Sequence, residues 1–411
     1  MGFAVMVLAT CLAGAQTTAI VSIPHTALAS AQPGDEFSFA VAVDDAGFIG
    51  SSPGENHATG AVYEYDCTAA ACTQTNRVAP TDLATGHRFG AAIAVSGDTL
   101  AVGAPGQSPP AVYVFIRSGS TWVQQAKLVA TGSASGAGFG RMLALAGDHL
   151  AVGAPGADAR AGAVYVFDRA ASAWTQTVRF AAADTIAGDD FGRSMAISGD
   201  TLVVGAPLKS SGTGHFANGA AYIFVRTASA WPQQAKLMAQ VSSDGDGFGT
   251  ALAIDGDRLL VGAPMAAGRK GGAYVFERTG SAWTQHDQLA SPVGADGDQF
   301  GWSVALSGNA ALVGAPFASN SCGASYSYIR SGSGWTLTDE SVIGAITLGD
   351  LVGWSVAGDP THWVVASPGS AGPLDHSGQA HVMQAGDRVF ADGFDVLAAN
   401  TCSAPVSGQR D

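Results

Sequence analysis

The chain has 411 residues, of which 47% are apolar and 13% charged, and it carries 55 glycines and a formal net charge of −14. A chain this acidic does not attract a phosphate backbone, which argues against nucleic-acid binding, and no apolar run reaches the roughly 18–20 residues of a membrane span. Apolar runs punctuated by glycine instead favour a turn-dense β protein.

The N-terminus has features of an export signal. The stretch Gly2–Ala13 is apolar and ends in Ala13-Gly14-Ala15, an A-x-A cleavage pattern. We interpret residues 1–15 as a signal peptide removed after Ala15, although the segment contains no Lys or Arg; the alternative is a disordered or strand-like N-terminus. The mature chain is then expected to be secreted or held at the cell surface or in the periplasm.

Cysteine usage agrees with export, because removal of the signal leaves an even number of cysteines: Cys67, Cys72, Cys322 and Cys402. The first two flank a short loop and suit a local hairpin disulfide, which leaves the last two for each other. No cysteine spacing resembles a zinc site. The sequence predicts neither a metal nor a cofactor.

One seventeen-residue pattern dominates the chain. "FGAAIAVSGDTLAVGAP" begins at Phe89, and close copies begin at Phe139, Phe191, Phe248 and Phe300, at steps of 50 to 57 residues. Degenerate copies centred on Phe37 and Val352 extend the series by 52 residues at each end. A glycine stands three residues before each of the seven positions: Gly34, Gly86, Gly136, Gly188, Gly245, Gly297 and Gly349. The sequence therefore contains seven repeats.

Each repeat holds four short apolar segments separated by turn residues. In the second copy they are "FGAAIAV", "TLAVGA", "AVYVFIR" and "WVQQAKLVA", and runs of this length and composition predict β-strands. One four-stranded sheet cannot bury both of its faces alone, so the copies must stack. We predict an all-β fold, a seven-bladed β-propeller of four-stranded antiparallel blades over residues 34–384; a β-solenoid is the alternative.

The ends of the chain must close the ring. The seventh copy has three strand segments but no Trp-led fourth strand, and "AIVSIPHTAL" at Ala19–Leu28 stands where a fourth strand would precede the first copy. We expect residues 16–33 to contain the strand that closes the last blade and hides both edges. The competing strand is Asp387–Phe394, within the tail at residues 385–411.

The five intact copies join a Phe-Gly pair to a Gly-Ala-Pro triplet, and in this they resemble the FG-GAP repeat family, best known from the integrin α-subunit propeller. The resemblance covers roughly residues 34–383, and the Trp-led fourth strand is similar to the bacterial secreted branch. In integrin-like members some loops between the first two strands form a calcium cage. Here those loops are tight turns such as "SGD" and "AGD", too short to supply six to eight oxygens. Calcium binding is therefore not expected.

A set of acidic residues recurs two positions before the repeat aromatic. Its members are Asp35, Asp189, Asp246, Asp298 and Asp350, with His87 in the second copy and Ala137 in the third. Placed around one mouth of the central channel, these candidate ligand-binding residues would attract a cation or a cationic ligand. The alternative, which we favour because unpaired carboxylates would repel each other, is that each Asp accepts a backbone hydrogen bond in its own turn.

Tryptophan occurs both in and out of phase with the repeat. The periodic series Trp122, Trp174, Trp231, Trp283 and Trp335 is interpreted as blade packing rather than a carbohydrate platform. Trp302 and Trp354 break the pattern, and we interpret them as packing residues as well; plugging the channel or lining a site are the alternatives.

No catalytic constellation emerges, because the histidines occupy non-equivalent positions and no Ser or Cys lies in a nucleophile elbow. We predict a monomeric, non-enzymatic binding module whose ligand is an extracellular protein or a glycan. Its site is expected in the variable loops between second and third strands: 51–59, 208–218, 265–271, 317–322 and 370–377. The alternatives are a structural envelope protein without a ligand and a hydrolase with its site at the channel mouth.

Overall fold

The computed structural model describes residues 20–24, 32–44, 47–68, 71–132, 136–210, 217–228, 230–332, 334–341, 349–369 and 378–384. The predicted signal peptide at 1–15 and the tail at 385–411 lie outside these residues. The described part forms seven four-stranded antiparallel sheets, the blades of a β-propeller, as the sequence predicts.

The blades follow the chain in order, and the strands of each are given from the innermost outwards. Blade 1 contains β2 (Val41–Asp44), β3 (Gly47–Ser52), β4 (Ala61–Cys67) and β5 (Cys72–Val78). Blade 2 contains β6 (Ile93–Ser96), β7 (Thr99–Ala104), β8 (Ala111–Ser118) and β9 (Thr121–Leu128). Blade 3 contains β10 (Met142–Ala146), β11 (His149–Ala154), β12 (Ala163–Ala170) and β13 (Ala173–Phe180).

Blade 4 contains β14 (Ser194–Ser198), β15 (Thr201–Ala206), β16 (Ala220–Val225) and β17 (Gln233–Leu237). Blade 5 contains β18 (Ala251–Asp255), β19 (Arg258–Ala263), β20 (Gly272–Thr279) and β21 (Ala282–Leu289). Blade 6 contains β22 (Ser303–Ser307), β23 (Ala310–Ala315), β24 (Ala324–Ser331) and β25 (Gly334–Ser341). Blade 7 contains β26 (Val356–Gly358), β27 (His362–Ser367), β28 (Gln379–Gln384) and β1 (Ile20–Pro24).

Four single helical turns lie in loops between second and third strands. They are α1 (Glu55–Ala58), α2 (Ala157–Arg160), α3 (Ala266–Arg269) and α4 (Ala318–Ser321). Each contains residues with left-handed backbone dihedral angles.

The N-terminal strand closes the ring. β1 pairs antiparallel with β28, with Ile20 opposite Met383 and Pro24 opposite Gln379, so the last blade receives its outer strand from the start of the chain. Ile23 is buried and packs in one apolar cluster with Phe37 of the first repeat and Val364 of blade 7. The competing strand Asp387–Phe394 lies outside the described residues.

The first strand of each blade begins later than the sequence suggests. The Phe-Gly pair was expected to open this strand, but β6 begins at Ile93 rather than at Phe89. The reason is a turn across the pair: the backbone N–H of Ala91 donates to the carbonyl of Arg88 at 3.0 Å. The same turn delays β26 in blade 7, where Trp354 donates to Leu351 at 3.1 Å.

The repeat aromatics form the core of the connections between blades. Phe37, Phe89, Phe139, Phe191, Phe248, Phe300 and the equivalent Val352 are fully buried. Each Phe packs against a third-strand tyrosine of its own repeat, with ring centroids 5.2 to 6.1 Å apart. Second strands such as β7 are buried along their whole length because neighbouring blades cover both faces, whereas the outer strand β13 alternates between exposed and half-buried positions.

The periodic tryptophans also pack between blades, which confirms their interpretation from the sequence. Trp174 of β13 lies opposite Arg169 of the adjacent strand β12. The guanidinium carbon of Arg169 lies 5.2 Å from the centroid of the indole ring, a favourable cation–π contact. Its indole N–H donates to Gln125 of the preceding blade at 2.8 Å. Trp283 repeats the arrangement with Arg278 and Gln234.

The disulfide predicted between Cys67 and Cys72 is present and joins the ends of β4 and β5 in blade 1. Cys322 is also disulfide-bonded. Its predicted partner Cys402 lies outside the described residues, so the pairing Cys322–Cys402 stays a prediction.

Candidate functional site

One face of the propeller carries both the connectors that enter each blade and the loops between second and third strands; we call it the connector face. On it, the loop of one blade bonds to the connector of the next. In each case the residue before the repeat aromatic donates its backbone N–H to a loop carbonyl. The pairs are Arg88 to Ala58 (2.7 Å), Asp190 to Arg160 (2.9 Å), Gly247 to Ala217 (3.1 Å), Gln299 to Arg269 (3.0 Å) and Leu351 to Ser321 (3.3 Å).

The acidic set lies on this face, but most of its side chains accept hydrogen bonds within their own turns. The side chains of Asp35, Asp189, Asp246 and Asp298 each accept a hydrogen bond from the backbone N–H three residues earlier, at 2.6 to 2.7 Å. All four residues are buried. This is the structural alternative favoured from the sequence, and it leaves these carboxylates poorly suited to form a ring that binds a cation.

Four positions of this set have further features. His87 takes the same role as the aspartates, because its Nδ1 accepts the backbone N–H of Ala84 at 3.0 Å. Asp189 also pairs with the buried ammonium of Lys209 at 2.9 Å. Burial raises the pKa of Asp35, although the bond from Gln32 opposes the shift. Asp350 is buried as well.

A second ring of residues on the connector face follows the Phe-Gly pair by one position, just before the innermost strands. Its members are Phe39, Ala91, Arg141, Arg193, Thr250, Trp302 and Trp354. The three aromatic members belong to the consecutive blades 6, 7 and 1, whereas the two arginines belong to blades 3 and 4. The ring is therefore aromatic on one side and cationic on the other.

The aromatic side forms a continuous group with one loop residue, Phe317. We call Phe39, Trp302, Phe317 and Trp354 the mouth aromatic group. The ring centroid of Trp302 lies 5.0 Å from that of Trp354 and 5.5 Å from that of Phe317, and the centroid of Trp354 lies 5.9 Å from that of Phe39. All four side chains are half-buried, so each keeps part of its surface open to solvent.

An open cleft of about 570 Å³ adjoins this group, between the loops of blades 5 and 6. We call it the 5–6 cleft. Phe317 belongs to its wall, together with the polar residues Arg269, Asp296, Gln299 and Asn320. The size is typical of small-molecule sites. The sequence predicted that the loops at 265–271 and 317–322 would take part in binding, and both line this cleft.

The loops owe their shape to left-handed turns that the sequence did not reveal. Arg269 has a φ of 69° and Ser321 a φ of 70°, a conformation that costs roughly 1 kcal/mol or more for such residues. Asn320 has a φ of 60°, which asparagine tolerates better. Backbone bonds from the next connector hold these turns. A usable signal was the glycine before each third strand, such as Gly271 (φ 90°) and Gly323 (φ 84°).

The described part of the chain contains no group of three His, Cys, Asp or Glu side chains placed to hold a metal ion. No helix within it is long and apolar enough to span a membrane.

Comparison with known families agrees with this geometry. The FG-GAP repeat profile matches residues 72–115, 122–167, 174–224, 231–276 and 283–328, which together make up more than half of the chain. The chain belongs to the FG-GAP repeat family. Each match begins at or next to the outer strand of one blade and ends in the third strand of the next, so one FG-GAP unit spans two blades.

Comparison with other proteins shows the fold alone. A solved chain from the "Crystal Structure of Mitotic Checkpoint Complex" is 13% identical to this FG-GAP propeller, with a TM-score of 0.56 over 93% of this chain and 99% of that chain. No curated protein matches the sequence.

Proposed function

We propose that this FG-GAP propeller is a non-enzymatic binding module that acts outside the cytoplasm, and that its ligand docks on the connector face at blades 5, 6, 7 and 1. The observation that carries the proposal is the continuity between the mouth aromatic group and the 5–6 cleft, which share Phe317. Half-exposed aromatic side chains beside a polar cleft supply contact area and directional hydrogen bonds together.

The contrast between Trp302 and Trp354 and two of the periodic tryptophans supports this role. Trp174 and Trp283 each stack on an arginine and donate a hydrogen bond to a neighbouring blade, so their polar and apolar parts are both used by the fold. Trp302 and Trp354 instead contact aromatic rings, and neither indole N–H bonds to a described residue. Those donors stay available to a ligand.

Export and the absence of catalysis are parts of the same proposal. The apolar leader ending in an A-x-A pattern and the Cys67–Cys72 disulfide favour an oxidising compartment outside the cytoplasm. Hydrolysis would need convergent carboxylates. In the sequence, the acidic set is the candidate source of these carboxylates. Four of its members already accept backbone hydrogen bonds within their own turns.

The test is binding of the purified mature protein to a panel of immobilised polysaccharides and extracellular-matrix proteins. Trp302→Ala and Trp354→Ala should each reduce binding to the bound component at least tenfold. Asp148→Asn and Asp257→Asn, in turns of the opposite face, are the matched controls and should leave binding unchanged. Equal losses for both pairs, or no binding to any component, would favour a structural protein without a ligand. Release of shortened saccharides would indicate a hydrolase.

A further inference from the structure

We call the contact between two neighbouring blades a seam. Two seams place an arginine at the same position but differ in the side chain that stands opposite it. In the seam between blades 3 and 4, Arg160 lies opposite Asp190, and the guanidinium donates two hydrogen bonds to the carboxylate at 2.9 and 2.8 Å. In the seam between blades 5 and 6, Arg269 occupies the position of Arg160 and Gln299 that of Asp190. The backbone bond joining the two positions is the same, at 2.9 and 3.0 Å.

Because an amide replaces the carboxylate in the 5–6 seam, Arg269 and Gln299 do not form the ion pair that Arg160 and Asp190 form. Arg269 is exposed and forms no ion pair with any described carboxylate. Gln299 is 4% exposed, and its Oε1 is buried without a hydrogen-bond partner among the described residues. Buried polar atoms are normally paired. Both residues line the 5–6 cleft.

The other carboxylates of the cleft do not replace the missing one. Asp298 accepts the backbone N–H of Ala295 at 2.7 Å, and Asp296 lies 3.9 Å from the ammonium of Lys270. The equivalent positions of the other described seams hold Ala58 with Arg88, Ala217 with Gly247, and Ser321 with Leu351. Among these five seams, an arginine facing an amide occurs at the cleft alone.

We propose that the 5–6 cleft binds a saccharide that carries a carboxylate, such as a uronic acid unit; this rests on the binding role proposed above. The ligand carboxylate takes the place of the Asp190 carboxylate and receives two hydrogen bonds from Arg269, the geometry that a guanidinium favours. Gln299 belongs to the wall of the same cleft, and its amide, unpartnered among the described residues, is both a donor and an acceptor for a sugar hydroxyl.

The rest of the lining favours a saccharide over an acidic peptide. Ser319, Asn320 and Ser321 offer neutral groups that both donate and accept, which suits a ring of hydroxyls. Phe317 offers an apolar surface for the C–H face of a sugar. Asp296, 79% exposed, would repel a second ligand carboxylate, so a densely acidic peptide is a poor fit.

The experiment is calorimetric titration of the mature protein with three probes: a galacturonic acid trimer, a neutral galactose trimer and a tri-aspartate peptide. The uronate trimer should bind at least tenfold more tightly than either of the others. Arg269→Gln should weaken its binding at least tenfold. Arg160→Gln, which removes the equivalent arginine from the other seam, is the matched control and should leave the dissociation constant unchanged.

A second variant tests the site without removing the arginine. Gln299→Asp recreates the Arg160–Asp190 pair inside the cleft, and the backbone permits it because Asp190 and Gln299 share a φ of 57°. This variant should raise the melting temperature and weaken uronate binding at least tenfold, since the internal carboxylate competes for Arg269.

Several results would overturn the inference: equal binding of the uronate and neutral trimers, equal effects of Arg160→Gln and Arg269→Gln, or no binding of the uronate trimer. Preference for tri-aspartate would assign the cleft to an acidic peptide. The binding role fails separately from this inference. Loss of binding to a component of the immobilised panel in Trp302→Ala, with retention in Arg269→Gln, leaves that role intact while excluding the acidic saccharide.

Discussion

A Cβ atom placed on Gly262 would lie 2.0 Å from the carbonyl oxygen of Gly301. Gly262 opens the Gly-Ala-Pro triplet of blade 5, and Gly301 ends the Phe-Gly pair of blade 6. The same approach, at 2.0 to 2.2 Å, joins Gly103 to Gly140, Gly153 to Gly192, Gly205 to Gly249 and Gly314 to Gly353. The two halves of the repeated signature therefore meet across the seam between neighbouring blades, which is a physical reason for their joint recurrence.

Gly262→Ala should therefore destabilise the propeller by about 3 kcal/mol or more, at the upper end of overpacking effects, because the obstructing atom belongs to backbone and cannot rotate away. Gly334→Ala is the matched control, since a Cβ there meets no atom within 4 Å and the residue has no positive φ. Chemical denaturation measures both. Equal denaturation midpoints for the two variants would show that the backbone at this seam shifts to accommodate the added methyl group and would contradict the prediction.

Deletion of Ile20–Leu28 should cost far more stability than deletion of residues 387–411, when both deletions are made in a Cys322→Ser background so that the predicted Cys322–Cys402 disulfide contributes to neither comparison. The first change removes β1, bares the edge of β28 and takes Ile23 out of the cluster shared by blades 7 and 1, and an exposed sheet edge also promotes aggregation. Thermal unfolding and light scattering of the two truncated proteins check this. Identical melting temperatures would contradict closure by the N-terminal strand.

His381 should make the propeller sensitive to mild acid. Burial lowers the pKa of this third-strand histidine to about 4, from 6.5 in an exposed chain. Between pH 6.5 and pH 4 the histidine is therefore protonated in the unfolded state but neutral in the folded state. The free energy of unfolding is highest above pH 6.5 and falls by roughly 3 kcal/mol as the pH drops to 4.

His381→Leu should flatten this loss, and His286→Gln, at an exposed position of β21, should not. The measurement is the free energy of unfolding between pH 7 and pH 4 for the three proteins. Parallel curves for the wild type and His381→Leu would exclude His381 as the source.

Calcium should have little effect on stability. A ligand that binds the folded state alone raises the melting temperature by mass action, but four of the acidic side chains already accept backbone hydrogen bonds. Thermal unfolding in chelator and in millimolar calcium should agree within about 2 °C. A larger rise that Asp246→Asn and Asp298→Asn abolish would restore the acidic set as a cation site.

The propeller ring could be predicted well from the sequence, because it is built from short local patterns that recur in every repeat. Phe89 and its equivalents mark each connector. The missing outer strand of the seventh copy points to a terminal segment, for which the sequence offers Ala19–Leu28, which we expected to close the blade, and the competing Asp387–Phe394. Even the role of the acidic set follows from turn chemistry, as Asp246 shows by accepting the N–H of Ser243.

The site was harder to predict because it depends on left-handed turns at residues other than glycine. Those turns bring Arg160 to Asp190 across 30 residues, and they place Arg269 beside Gln299 in the same way. Propensity disfavours such turns at Arg269 or Ser321, so the sequence alone identifies these loops only as variable. Trp302 and Trp354 stood out from the pattern, but their contacts with Phe39 and Phe317 depend on neighbouring blades meeting in space.

Hydrogen exchange of the mature protein, with and without a saturating galacturonic acid trimer, tests directly whether the 5–6 cleft on the connector face binds an acidic saccharide. We expect slower exchange in the segments 265–271, 295–302 and 317–323, which surround the 5–6 cleft and the adjacent Trp302, with little change elsewhere. Slower exchange confined to turns of the opposite face, such as those at Asp148 and Asp257, or no change in any segment, would contradict it.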